Sequence, residues 1–267
     1  MRGGSNGDKD DSASQGRLRF VSVSAVLAAI MVWAVMTSTG IVSREVIPSP
    51  VDLAAEFAKL VRTGYSGSPL WLHVAASMGR TLIGLVLAII VGVPIGLLIG
   101  YSKTVSAALE PFLSVLRPMP AIAFIPLVIL YFGIGEFSKI VLIFFTSMLH
   151  MVLHASAGVR SVPKELLRVA YNYGLSRAEL FRRVILPASM PHILTGIRTT
   201  TAISWALVVA AELVGAQQGL GYMIMDAATF FKITDIYIGI VLIGVIGFVL
   251  ETIVRRVENR LLHWRGH

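Results

Sequence analysis

Six stretches of this chain, at 20–38, 72–101, 105–132, 137–158, 191–214 and 236–257, stay apolar for long runs. Roughly 20 such residues are what a helix needs to cross about 30 Å of hydrocarbon. A bilayer offers no water to backbone N–H and C=O groups, so each stretch has to satisfy them internally, as a helix does. The expected class is therefore all-α, a polytopic membrane protein with six transmembrane helices. Composition agrees: 55% of the 267 residues are hydrophobic and 14% charged, with a mean hydropathy of +0.78, against about 25% charged in soluble domains. The first stretch exceeds the roughly 7–15 residues of a signal-peptide core, and "MTSTG" after it offers no small-x-small cleavage site, so it reads as a retained span.

Basic residues set the orientation. Arg2, Lys9, Arg17 and Arg19 precede the first span, and Arg255, Arg256, Arg260 and Arg265 follow the sixth. Arg160, Lys164, Arg168, Arg177, Arg182 and Arg183 lie between the fourth and fifth, whereas the loops after the third and fifth hold only Lys139 and Lys232. Cytoplasmic loops collect Lys and Arg, so both termini and the 160–183 segment are expected in the cytoplasm. The same rule accounts for the net charge of +8 without nucleic acid. With no cysteine, thiolate metal sites and disulfides are excluded. Residues 1–19, rich in Gly, Ser and Asp and without apolar periodicity, are expected to be a disordered cytoplasmic tail, with the membrane domain over 20–267. Pro50, followed by Leu53, Phe57 and Leu60 at helical spacing, predicts a short amphipathic helix on the outer surface.

The segment "RVAYNYGLSRAELFRRVILP" (168–187) carries four arginines between two apolar runs. Pro163 suits the first turn of a helix through Leu166, Leu167 and Ala170, and Gly174 supplies the left-handed residue that ends one. Ser176 with Glu179 forms a capping box for a second helix, expected to stop before Pro187. Two short helices at about 163–187 thus form a bracket. On local grammar alone it reads equally as a solvated interfacial loop. A DNA-binding helix-turn-helix does not suit a segment tied to the membrane at both ends.

The spacing of Ala170, Gly174, Val184, Leu186 and Pro187 resembles the "EAA" loop of permease subunits of ATP-binding-cassette (ABC) importers. "VIPSP" (46–50), "RPMPAIAFIPLVILYFGIGEFSKI" (117–140), "LTGIR" (194–198) and "VVAAELVGAQQGLGYMI" (208–224) are similar to the nitrate, sulfonate and taurine permease group, with taurine and aliphatic sulfonate permeases nearest. The resemblance implies the type I ABC importer permease fold, a bacterial plasma (inner) membrane location, a second copy of this chain and two ATP-binding subunits. It also implies an extracytoplasmic solute-binding protein and surrounding lipid. Transport would be of taurine or a related sulfonate, with nitrate or another small anion as the alternative. It further implies an ATPase contact through Glu165, Arg168, Ala170, Gly174, Leu175, Ser176, Leu186 and Pro187. The family's glutamate and first alanine fall on Arg168 and Val169 here, so the resemblance implies a contact from Arg168 to an acidic partner surface, with Glu165, one turn earlier, as the alternative acidic contact.

The dipeptide Gly-Lys never occurs, so no phosphate-cradling loop is present, no cofactor is expected on this chain, and ATP and Mg belong to the partner. His150 and His154 share a helix face but lack the glutamate of HExxH, and read as hydrogen-bonding residues. Gly84, Ala88, Gly92, Gly96 and Gly100 form a small-residue stripe for close helix packing. Ionisable residues within spans are functional candidates. Arg80, Arg198 and Glu212 read as internal pairs or path residues. Arg117 with Pro118 and Pro120, where the backbone ladder breaks, and Glu212 are taken as the translocation path. A self-sufficient channel or secondary transporter is the competing reading, expected to show inverted repeats and a midplane ion site.

Overall fold

A computed structural model describes residues 7–40, 43 and 46–262; Arg2 and Arg265, and residues 1–6 of the expected tail, lie outside them. The described residues form helices in the order α1 (Gly7–Ser38), α2 (Pro50–Thr63), α3 (Leu70–Tyr101), α4 (Lys103–Leu116), α5 (Ile125–Phe132) and α6 (Glu136–Arg160). Then follow α7 (Lys164–Asn172), α8 (Arg177–Leu180), α9 (Leu186–Glu212), α10 (Leu220–Thr229) and α11 (Ile233–Leu261). α1 is continuous across the boundary expected at residue 20.

Four of the six expected spans appear as single helices: Leu70–Tyr101, Glu136–Arg160, Arg177–Glu212 and Ile233–Leu261. The stretch 105–132 does not run straight. Lys103–Leu116 and Ala121–Phe132 meet at 89°, and the helix is interrupted where Pro118 and Pro120, on either side of Met119, each lack a ladder donor. α1 contributes Leu27–Ser38 as its described apolar part, which at about 1.5 Å per residue is shorter than a bilayer. Lys139, expected in a loop, stands in the first turn of α6, 5% exposed, its Nζ donating to the Gly135 carbonyl at 3.0 Å.

The bundle is organised around α3 and α6. The stripe on α3 meets α6 along its length: Gly84 faces Ile143, Gly92 faces Met148 and Met151, Gly96 faces Val152 and Ala155, and Gly100 faces Val159. A Cβ at Gly96 would stand 2.5 Å from the Val152 carbonyl oxygen. The two backbones can approach this closely only without side chains, and in lipid that contact supplies packing energy which the hydrophobic effect does not. α9 joins the other side of α6, with Ser147 and Ser204 hydroxyls 2.6 Å apart and His154 Nε2 3.1 Å from Thr199 Oγ1. His150 bonds the Thr146 carbonyl at 2.8 Å, so both histidines act within the bundle. α11 is fixed to α9 by Trp205 Nε1 donating to the Ile243 carbonyl at 3.0 Å, and by Thr195 and Arg198 on Glu258 at 3.0 and 3.4 Å.

The ends of the bundle differ. At one, α7 and α8 cap the C-terminal end of α6. At the other, α2, α10 and the start of α11 gather around Tyr65, whose hydroxyl donates to Asp226 at 2.8 Å. α2 starts as expected: Ser49 and Asp52 form a capping box ahead of Pro50.

Gly96→Leu should force α3 and α6 apart. Overpacking costs roughly 1–3 kcal/mol, so the purified protein should unfold at a lower temperature, while Gly79→Ala, whose Cβ meets nothing within 4 Å, should not change it.

Candidate functional site

The 163–187 bracket has the expected caps and one unexpected join. α7 ends in a Schellman motif: Gly174 N–H donates to the Tyr171 carbonyl at 2.9 Å and Leu175 N–H to the Ala170 carbonyl at 3.2 Å. Gly174 has φ +71° with nothing within 4 Å of a Cβ, so backbone conformation, not space, demands glycine there. Ser176 and Glu179 close the capping box: Ser176 N–H donates to Glu179 at 3.1 Å, and Glu179 N–H donates to Ser176 Oγ at 3.3 Å.

The second helix does not stop before Pro187. Residues Phe181–Ile185 form a π-helical turn, in which Leu186 N–H reaches back to the Phe181 carbonyl, and the chain runs straight on into α9. The turn absorbs the proline, which sits at the start of α9 and breaks no standard ladder.

Val159, Val162, Ala170, Leu180 and Ile185 form a buried cluster that holds the bracket against the end of α6. Ala170, expected to touch the ATPase, is 5% exposed inside this cluster; it seats α7 and does not face outward. Glu165, Arg168, Gly174, Ser176 and Pro187 are exposed, and Leu175 and Leu186 are half-buried. Sequence reasoning missed the apolar part of the outer face: Leu166, Val169, Tyr171 and Tyr173 are 47%, 51%, 61% and 82% exposed. The signal was available, because apolar residues surround α7 on more sides than one buried stripe requires.

Arg117, Pro118 and Pro120 are brought together, exposed, at the 89° bend. Two turns earlier on α4, Glu110 accepts from Arg160 at 2.7 Å, and just after the bend Ala121, Phe124 and Ile125 pack in one cluster with Leu142 and Ile143 of α6. Glu212 does not join them. It belongs to a charge cluster at the N-terminal end of α6, with Arg80 and Glu136.

In that cluster Arg80, 3% exposed, donates to Glu212 at 2.5 Å, to both oxygens of Glu136 at 2.5 and 2.6 Å, and to the Gln218 carbonyl at 2.8 Å. Glu212, 1% exposed, also accepts from Ser77 at 2.8 Å and from Gly221 N–H at 2.9 Å. A side chain at Gly219 would strike the Glu212 carboxyl. So enclosed, Glu212 is held in a closed set of hydrogen bonds with Arg80, Ser77 and the Gly221 amide.

A family model described as "binding-protein-dependent transport system inner membrane component" matches residues 92–263. The chain belongs to that family. Among its relatives, the taurine transport system permease protein TauC of Escherichia coli K12 is 36% identical over 92% of this chain and 90% of its own length. The putative aliphatic sulfonates transport permease protein SsuC of Bacillus subtilis 168 is 37% identical, over 94% and 89%. In fold, the permease matches a chain of the inward-facing MetNI methionine ABC transporter with a TM-score of 0.64 at 18% identity, over 71% of this chain and 96% of that one. It has the fold of type I ABC importer permeases, and is a transport component of a multi-pass membrane system rather than an enzyme. Among the described residues of the permease, no group of three or more His, Cys, Asp or Glu is placed to hold a metal.

Two outcomes follow. Gly174→Val should strain the left-handed turn by roughly 1–3 kcal/mol, leaving membrane insertion intact and lowering ATPase association on a pull-down. Arg80→Ala leaves a buried carboxylate alone, a loss of about 3–5 kcal/mol, and should lower Tm sharply; the paired Arg80→Met, Glu212→Leu variant should recover most of it.

Proposed function

We propose that the permease lines the path by which taurine or a related sulfonate enters a bacterial cell, as a homodimer driven by ATP hydrolysis on two separate subunits. ATP and Mg sit on those subunits, and a solute-binding protein delivers the solute from outside. The observation that carries this reading is the bracket: an exposed apolar and charged face on a stiff, capped hairpin, fixed to the end of α6 and continuous with α9. Movement imposed on α7 and α8 reaches α9 without a flexible joint. The named functions of the taurine and sulfonate relatives support the choice of solute.

The contact face comprises Glu165, Arg168, Gly174 and Ser176 with Leu166, Val169 and Tyr173, flanked by Leu175, Leu186 and Pro187. The bracket end and both termini are cytoplasmic, by the distribution of Lys and Arg. Arg117, at a bend where prolines have interrupted the helix, offers a cation to an anion in transit. Transfer of an uncompensated sulfonate through a dry bundle would be prohibitive, whereas a strong site would retard release.

The test is reconstitution of the permease with its cognate ATPase and binding protein. ATP-dependent uptake of labelled taurine or ethanesulfonate that nitrate does not inhibit is the expected result. Uptake by the permease alone, driven by an ion gradient, would overturn the importer reading, and competition by nitrate would reassign the solute. Arg117→Ala should lower solute moved per ATP with assembly intact, and Arg168→Glu should weaken ATPase binding in a salt-sensitive way if the partner surface is acidic.

A further inference from the structure

The bundle end opposite the bracket holds a cleft of about 560 Å³ between α2, the turn after it and the α10–α11 turn. Its size lies within the range of about 300–1,000 Å³ usual for small-molecule sites. Asp235 lines it and is only 6% exposed, yet its carboxylate makes no hydrogen bond and no ion pair among the described residues. Its oxygens keep a little solvent contact, and a carboxylate so enclosed gains when a cation or donors reach it.

Lys232, on the same turn, attracts Asp235 electrostatically but closes no ion pair with it. Its Nζ stands 5.4 Å from the Tyr65 ring centroid and 5.8 Å from that of Phe230. The cleft's other cation, Lys59, is already held by Glu56 at 2.7 Å. Two opposite charges three residues apart thus do not close on each other, although the start of one helix carries both. Burial, together with the hydrogen bond to Asp226, pushes the Tyr65 phenol up, so that part of the wall stays neutral. On the rim, Ser66 and Phe231 are non-glycine residues with φ of 48° and 54°. Such strained backbone gathers at ligand clamps.

We propose that this cleft binds a small zwitterion, in which a primary ammonium and a strong-acid oxyanion sit a few bonds apart. The ammonium meets Asp235 and the oxyanion meets Lys232. Two sources share that chemistry: a free aminoalkanesulfonate and the ethanolamine phosphate headgroup of a lipid beside the amphipathic α2. The inference goes beyond the transport reading and does not depend on it, because binding here can be measured whether or not any solute is carried.

The experiment uses the permease–ATPase complex, without binding protein, in nanodiscs of phosphatidylcholine, titrated with taurine, ethanesulfonate and ethylammonium by saturation-transfer NMR. Taurine should bind saturably, and the two probes carrying one charge each at least about tenfold more weakly, since each forfeits a charge-assisted contact. Asp235→Asn and Lys232→Gln should each weaken taurine by a similar factor while the complex keeps its melting temperature. In a second arm, nanodiscs containing phosphatidylethanolamine are examined by native mass spectrometry. Retention of that lipid by the wild type and its loss from both variants would support the site with the headgroup as occupant. The proposal is overturned if neither taurine nor the lipid distinguishes wild type from Asp235→Asn, or if ethanesulfonate binds as tightly as taurine.

Discussion

The close approach of α3 to α6 is the constraint on which the remaining structure depends. Inside a bilayer, apolar side chains gain nothing by leaving lipid for one another, so two helices hold together only where their surfaces fit. The stripe of Gly84, Ala88, Gly92, Gly96 and Gly100 provides that fit over most of the membrane's depth. α9 then packs on α6, α11 on α9, and the Arg80–Glu136–Glu212 cluster forms where α3 meets the start of α6. Arg80 can reach Glu136 only because those helices are in backbone contact.

Much of this was legible in the sequence, and the reasons are physical. Long apolar runs have one solution in lipid, so three spans could be placed to within a few residues, while the fifth, expected from 191, begins its continuous helix at Arg177. Gly174, Ser176 and Glu179 encode their caps locally, and the caps formed as expected. What could not be read was the outcome of competing local signals. Pro187 ends a helix in a standard ladder, but a wider turn at Phe181–Ile185 lets the same residue begin the next one. Pro118 and Pro120 were recognised as a break without its angle, since the direction of a bend is set by neighbours and not by prolines. The partners of Glu212, namely Arg80, Ser77 and Gly221, could not be read either, because they are scattered along the chain and converge only in three dimensions.

Charge is used in three distinct ways. Buried charge at Arg80 and Glu212 is fully matched and ties the loop after α9 to α3 and α6. Half-exposed charge, as between Arg160 and Glu110, is worth little in energy but orients α4 against α6. Charge on the bracket, at Glu165 and Arg168, is left open to solvent, where a second protein can read it.

The π turn at Phe181–Ile185 carries a consequence for how related chains can vary. Such a turn holds one residue more than the α-helix it interrupts. Each residue of an α-helix turns the chain by about 100°. A single deletion between 181 and 185 would therefore convert the wide turn into ordinary α-helix and leave the bracket and α9 close to their present relative rotation. The same deletion within the regular helix of α9 would swing the two flanks by about 100°, so this segment is where the chain can lose a residue without re-aiming the hairpin.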